Sequence, residues 1–414
     1  MHPSNRRNFI KQSALAGASA IMTKVLENHV SFKNQEGLID WKKVRADFPI
    51  ANWEKLHLNS GSAGVMPLST TEHLIELIRY VNSKAPYQVW SEWQEIKKTN
   101  LIRLAELVGA QPQELEVVRN TTEALNMIIT GLTLDRGDEV VLTSNAYGFA
   151  VNSWRRKARL EGGSIKEVTI KLPLADDEVI ASIENAMSDR TRYLHLTHIT
   201  HREGHIMPIK RLTEIAGRRG IQVVVDGAHV VGHIGVNLTD LECDYYASSL
   251  HKWLNAPLGT GLIYVSEKRI GQIEGHLSSY DNAADSMDKY EQRGTRSWAN
   301  EIGISAALDY HDALGGAQKE ERLKYLKSYW MDQLAANERV YFSTSKEQSA
   351  AVISFGLHGS GGSKIVKALH QDFDIHAKSV GGPWGGGVRV SPNIFTIESD
   401  LDRLVKAVQQ ISKA

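Results

Sequence analysis

Between residues 116 and 265 the chain repeats one device: a short apolar run, a turn, then a stretch with apolar residues every three or four positions. Residues 116–119, 139–142, 164–169, 191–196, 221–225, 245–247 and 261–265 read as strands. Residues 121–125 open a helix, and 147–160, 177–187 and 209–219 have helical spacing. Strands alternating with helices build few architectures. The pattern predicts an α/β fold whose large domain has a mostly parallel sheet flanked by helices. The apolar run 221–225 suits a strand buried on both faces.

The flanks differ. Residues 53–58 read as a short strand leading into the turn-rich Asn59-Ser60-Gly61-Ser62-Ala63-Gly64, and 68–84 and 91–108 as helices. After residue 300 come a long helix over 302–335, strands at 351–357, 375–378 and 387–390, and helices at 363–372 and 398–411. This predicts a small C-terminal α+β domain over 301–414. The large domain then spans 40–300, with 40–60 partly serving the small one.

Composition narrows the function. The 414 residues carry 48 basic and 48 acidic side chains, a formal net charge of +0, so no basic field draws nucleic acid or an anionic membrane. No apolar run approaches the ~20 residues of a membrane span. Cys243 is the single cysteine, which excludes an intramolecular disulfide and a multi-thiolate zinc site. Arg6-Arg7, Phe9 and the small-residue run 13–22, with Ala18-Ser19-Ala20, have the form of a twin-arginine export signal. Residues 1–30 are therefore expected to direct export, with a periplasmic location. The competing expectation is a cytoplasmic protein with an amphipathic terminal helix.

The chemistry starts at the ends of two successive strands. Asp226 closes one, and Lys252 follows the next in Ser249-Leu250-His251-Lys252. Ligands of open α/β sheets bind beyond the carboxyl ends of strands. A lone aspartate there is ordinarily solvated, and a lone lysine ordinarily lies on the surface. Together they offer an amine to condense with an aldehyde and a carboxylate to keep a pyridine nitrogen protonated. Pyridoxal phosphate requires both. Asn120-Thr121-Thr122-Glu123 opens a helix after a strand, an arrangement that serves as a capping box or as a phosphate site. Ser249 and His251 add donors, and Tyr147, after the strand 139–142, can stack on a flat ring. His195, His198, His201 and His205 invite a metal reading. However, 195 and 198 fall on opposite faces of a strand, and no HExxH or CxxC accompanies them. No metal site is expected; one or two of these histidines are expected to line the cofactor crevice.

In order along the chain, Leu58-Asn59-Ser60-Gly61, Asn120-Thr121-Thr122-Glu123-Ala124-Leu125-Asn126, Tyr147, Asp226-Gly227-Ala228-His229, Ser249-Leu250-His251-Lys252, Gly294-Thr295 and Arg389 resemble the class V aminotransferase family. The resemblance is to fold type I transferases dependent on pyridoxal phosphate, in the isopenicillin N epimerase-like and cysteine desulfurase-like branches. It implies that Lys252 holds the cofactor, Asp226 partners its pyridinium nitrogen and His229 lies near its phenolic oxygen. Thr121, Thr122, Ser249 and His251 would hold the phosphate and Tyr147 would stack on the ring. Arg389 would clamp the substrate α-carboxylate, with Asn59 also binding substrate. Thr295 would reach across a homodimer to the partner's phosphate. Two departures stand out: Tyr147 where many relatives carry histidine, and histidines in 197–201 where the family often has asparagine. The desulfurase branch also uses a cysteine in a mobile C-terminal loop, and this chain has none. The expected order of activities on an amino acid is transamination first, then epimerisation and β-elimination of a C–S bond. Two remoter expectations are a catalytically silent exported binding protein and a histidine-cluster metalloprotein.

Overall fold

A computed structural model describes residues 31–277, 284–382 and 385–413. The export-signal reading of residues 1–30 lies outside these residues. In chain order β1 is Leu56–His57, and the main sheet takes β2 (Leu115–Val118), β3 (Glu139–Thr143), β4 (Ser164–Val168), β5 (Thr191–Thr197), β6 (Gln222–Asp226), β7 (Tyr245–Ser248) and β8 (Gly261–Val265). Their order across the sheet is β2-β8-β7-β6-β5-β3-β4. Neighbours from β7 to β4 run parallel, while β8 is antiparallel to both β7 and β2. The reversal has a local cause. Residues 249–260, between β7 and β8, hold only the single turn Leu250–Trp253, too little to cross a sheet face.

The interior of the sheet explains the apolar runs. All five residues of β6 are buried. Val223 and Val225 pack on one face with Leu194, Leu212 and Ala216. Val224 packs on the other with Tyr193, Trp154 and Ile128. Each such side chain contributes about 1.5–3 kcal/mol on burial. Cys243 sits in the first cluster at 1% exposure, and burial pushes its thiol above the ordinary range.

A second sheet joins β9 (Val340–Phe342), β10 (Ile353–Leu357), β12 (Lys378–Val380) and β13 (Gly387–Val390) in the antiparallel order β12-β13-β10-β9. Helices Gly316–Leu334, Gly362–Asp372 and Glu398–Lys413 cover it through Trp330, Ile365 and Leu404. Strand β1 pairs in parallel with β11 (Ile375–His376), so the N-terminal segment joins the C-terminal one. Three readings need correction. The run 375–378 is not one strand: it breaks at Ala377 into β11 and β12, which join different sheets. Residues 53–58 form only the short β1, after a 3-10 turn at Pro49–Asn52. The stretch 302–335 is not one helix: Gly303 and Gly315 separate Trp298–Ile302, Ile304–Leu314 and Gly316–Leu334. Gly315 has φ 81°, which a continuing helix does not allow. Apolar spacing runs on through both breaks and hides them.

The chain between β1 and residue 64 ties the sheets together. Asn59 bridges to Ser391, and Gly64 N donates to His251 O at 3.0 Å. A Cβ on Gly64 would lie 2.0 Å from the Lys252 carbonyl oxygen, so only glycine lets this loop approach the turn that carries Lys252. Among the described residues no helix is long and apolar enough to cross a membrane.

Candidate active site

A cleft of about 300 Å³ opens at the carboxyl ends of β5, β6 and β7, against the smaller sheet. Asp226 is the last residue of β6 and is buried. Burial raises its pKa, opposed by the Ala228 N–H, which donates to Oδ1 at 3.0 Å, and by the charge on Lys252. Lys252 lies in the single turn after β7, with Nζ 3.2 Å from His229 Nε2. Burial brings its pKa down to about 8, with Asp226 opposing and Arg389 and Lys378 reinforcing the shift. At neutral pH a usable fraction of this amine is thus free of its proton.

His229 is fixed from behind. Trp253 Nε1 donates to His229 Nδ1 at 3.3 Å. Nδ1 is then the acceptor, and the proton of the neutral ring sits on Nε2, pointing at Lys252. Burial, with Lys252 next, holds His229 well below the usual histidine range. His233 lies flat on Trp253, ring centroids 3.7 Å apart. Its Nδ1 bonds His229 O at 2.9 Å and its Nε2 accepts from Ala351 N at 2.9 Å.

At the opposite wall the helix Thr121–Gly131 presents its N-terminus. Asn120 caps it by accepting from Glu123 N at 2.9 Å. Thr121 N donates to Ser249 Oγ at 3.1 Å, and the two hydroxyls lie 2.7 Å apart. His251 Nδ1 bonds Thr260 O at 2.9 Å, which leaves Nε2 for another partner. Thr121, Thr122, Ser249 and His251 all line this wall, where the helix dipole and free donors suit an anion.

Arg389 enters from β13. Its Nη1 donates to His201 O at 2.8 Å, and Nη2 to Asn59 Oδ1 at 2.9 Å and Ser62 Oγ at 2.7 Å. Its Nε is buried with no hydrogen-bond partner among the described residues. Asn59 therefore reaches the site through Arg389 and does not line the cleft. Tyr147 precedes the helix Gly148–Glu161, and its ring meets that of His201 edge-on, 5.1 Å away at 83°. Burial, helped by Arg202 and Arg389, holds His201 at about 3, and its Nδ1 has no partner.

The four histidines of 195–205 diverge. His195 packs toward Trp154, His198 bonds Tyr246 Oη at 2.9 Å, His201 faces the cleft and His205 bonds Thr344 Oγ1 at 2.7 Å. No three metal-binding side chains converge among the described residues. Thr295 lies in a different cavity, with Trp93, Lys97, Arg296 and Trp298. Sequence reasoning missed Ser62, Thr197 and Lys378 as cleft residues and Trp253 as the group behind His229. Lys378 was legible only as a strand end. Its place follows from the pairing of β12 with β13, which sets it beside Arg389.

A buried lysine and aspartate at the ends of adjacent strands, an anion-binding helix N-terminus and an arginine from a second sheet define a fold type I site for pyridoxal phosphate. Residues 82–404 match the family model described as aminotransferase class-V, and the chain belongs to that family. It is 29% identical over 388 residues to the isopenicillin N epimerase of Amycolatopsis lactamdurans, covering 86% of this chain and 95% of that one. It is 26% identical over 419 residues to a probable cysteine desulfurase of Halobacterium salinarum, covering 91% and 97%. Among solved structures, the cystine C-S lyase C-DES in complex with cysteine persulfide superposes with TM-score 0.79 at 21% identity, covering 87% of this chain and 98% of that one. The cysteine desulfurase CsdA of Escherichia coli gives 0.76 at 22%, covering 91% and 99%. These likenesses in structure establish the fold.

The residues present fit the family's cofactor, pyridoxal phosphate. Thr121, Thr122, Ser249 and His251 would hold the phosphate, Asp226 a protonated ring nitrogen, and Lys252 the aldehyde carbon. When bound, the cofactor supplies an electron sink for charge developing at a substrate carbon.

Proposed function

We propose that this enzyme epimerises an amino acid at its α-carbon. The observation that carries this reading is that proton-carrying side chains enter the cleft from two directions. Lys252 with His229 comes from the loops after β6 and β7. Tyr147 with His201 comes from the loops after β3 and β5. Lys252 removes a proton as a general base whose pKa of about 8 lies near the working pH. The Tyr147 hydroxyl returns one from another direction, with the neutral His201 ring packed edge-on against it. Arg389, oriented by Asn59 and Ser62, binds the α-carboxylate. The likeness to named epimerases supports the same outcome.

Transamination needs a single proton carrier, Lys252, and leaves the Tyr147 hydroxyl no proton to move. β-Elimination would use that hydroxyl to protonate a departing group. A protein-bound persulfide is disfavoured because Cys243 is buried in the core. The test is a screen of L- and D-amino acids in deuterated water with the purified holoenzyme. Epimerisation incorporates deuterium at the α-carbon and yields the opposite enantiomer with the amino group retained. Accumulation of keto acid without racemised product would replace this reading with transamination, and release of ammonia with a lost β-substituent would replace it with elimination.

We also propose that the protein is exported through its twin-arginine segment and works as a homodimer in which Thr295 approaches the partner's phosphate. Fractionation with Arg6 and Arg7 replaced by lysine tests the first, since export should stop. Light scattering, with cofactor affinity measured for Thr295→Ala, tests the second.

A further inference from the structure

The cleft holds more positive charge than this reaction uses. Lys252, Lys378 and Arg389 line it, and Asp226 is its one carboxylate among the described residues. Lys252 is committed to the cofactor and Arg389 to one carboxylate. The Lys378 amine has no ion pair and no hydrogen bond among the described residues.

Its position is set by the fold. In the β12–β13 ladder Lys378 stands directly opposite Arg389, so the two side chains share a face. Directly opposed residues have Cβ atoms about 5 Å apart, and like charges at that spacing repel. The ladder thus carries a repulsive pair at the mouth of the one cleft where an anionic ligand would relieve it. Surface lysines ordinarily face solvent or a carboxylate, whereas this one also bears on the buried groups of the site. Its charge helps depress the basicity of both His201 and Lys252. Two Arg389 nitrogens, Nη1 and Nη2, are already arranged by His201, Asn59 and Ser62, so the arginine is held for one ligand group and leaves a second to its neighbour.

We propose that Lys378 forms a second anion subsite beside Arg389, and that the substrate class is an α-amino acid carrying a further carboxylate on its side chain. This rests on the reading of the cleft as an amino-acid site. The flexible lysine stem fits side chains of a few carbons, which gives the subsite its reach.

The experiment is equilibrium titration of the holoenzyme, read by the visible absorbance of the cofactor, with L-glutamate and its neutral isostere L-glutamine, and with L-aspartate and L-asparagine. The wild type should bind each diacid about tenfold more tightly than its amide, the size of one charge-assisted hydrogen bond. Lys378→Gln should abolish that ratio, and Lys378→Glu should invert it, so that each amide binds more tightly than its diacid. Retention of the cofactor absorbance confirms that each variant is folded. Equal affinity for acid and amide in the wild type overturns the subsite. So does an unchanged ratio in Lys378→Gln, or a loss common to acid and amide, which would give Lys378 to the α-carboxylate. If no amino acid perturbs the spectrum at all, the amino-acid reading itself fails.

Discussion

Two groups of charge in this molecule are built on opposite rules. Around Glu116 every charge has an opposite partner. Lys97 bonds it at 2.7 Å, Arg293 reaches Glu116, Glu123 and Glu301 within 3.9 Å, and Arg296 pairs with Glu301 and Glu291. Trp93 bonds Glu301 at 3.0 Å, and the Arg296 guanidinium lies 4.9 Å from the Trp93 ring centre. In the cleft the cations Lys252, Lys378 and Arg389 face one carboxylate among the described residues, Asp226. A charge with its partner in place serves the fold. A charge that faces a cleft without one is open to a ligand that supplies it. A change in the cleft should therefore alter chemistry with little loss of stability, and a change around Glu116 should do the reverse.

The largest effect tests the cleft. Lys252→Ala should abolish the visible absorbance of the lysine-bound cofactor and lower turnover by on the order of 10⁴-fold, the upper range for loss of a general base. Its melting temperature as apoenzyme should not fall, because the deleted amine is a buried group of reduced basicity with a single side-chain contact. A collapse in stability would erase the distinction between the two regions. Next comes Glu116→Gln. Removing one charge from a buried pair leaves Lys97 and Arg293 short of a partner and should cost about 3–5 kcal/mol in chemical denaturation. The cofactor spectrum of the folded fraction should be unaltered.

The third effect is a pH dependence. The neutral amine of Lys252 is the form that attacks an aldehyde. Its pKa of about 8 lies below the ordinary lysine value, so attachment of pyridoxal phosphate to the apoenzyme should rise about tenfold per pH unit up to about 8 and then level. An unperturbed lysine would keep rising to about 10.4. Stopped-flow rates between pH 6 and 10 separate the two. Lys378→Gln should move the break upward, because Lys378 is among the charges that depress it.

Much of this arrangement was legible because the residues concerned obey local rules. Asp226 could be placed because an apolar run of strand length stops at it, and Thr121 because Asn120 is a good cap followed by helical spacing. The strand order was not legible. The one local sign of the reversal at β8 is the shortness of 249–260, which leaves no room for a crossover helix. Lys378 escaped notice for a related reason: its meaning lies in a register with Arg389, across a glycine-rich turn, and register is a property of two strands at once. Trp253 reads as core, which it is at 0% exposure, and only its ring nitrogen gives it a second role.

That second role supplies the smallest effect. Trp253→Phe keeps an aromatic ring beneath His233 but removes the donor to His229 Nδ1. His229 is then free to place its proton on either nitrogen, and part of the population turns an acceptor toward Lys252, favouring its ammonium form. One neutral hydrogen bond is worth about 1 kcal/mol, so kcat/KM should fall roughly fivefold. The break in the attachment profile should also move to higher pH by a few tenths of a unit. A plain packing defect would lower stability and leave that break where it was. A variant with reduced stability and an unmoved break would place Trp253 with the charges around Glu116, among groups that serve the fold alone.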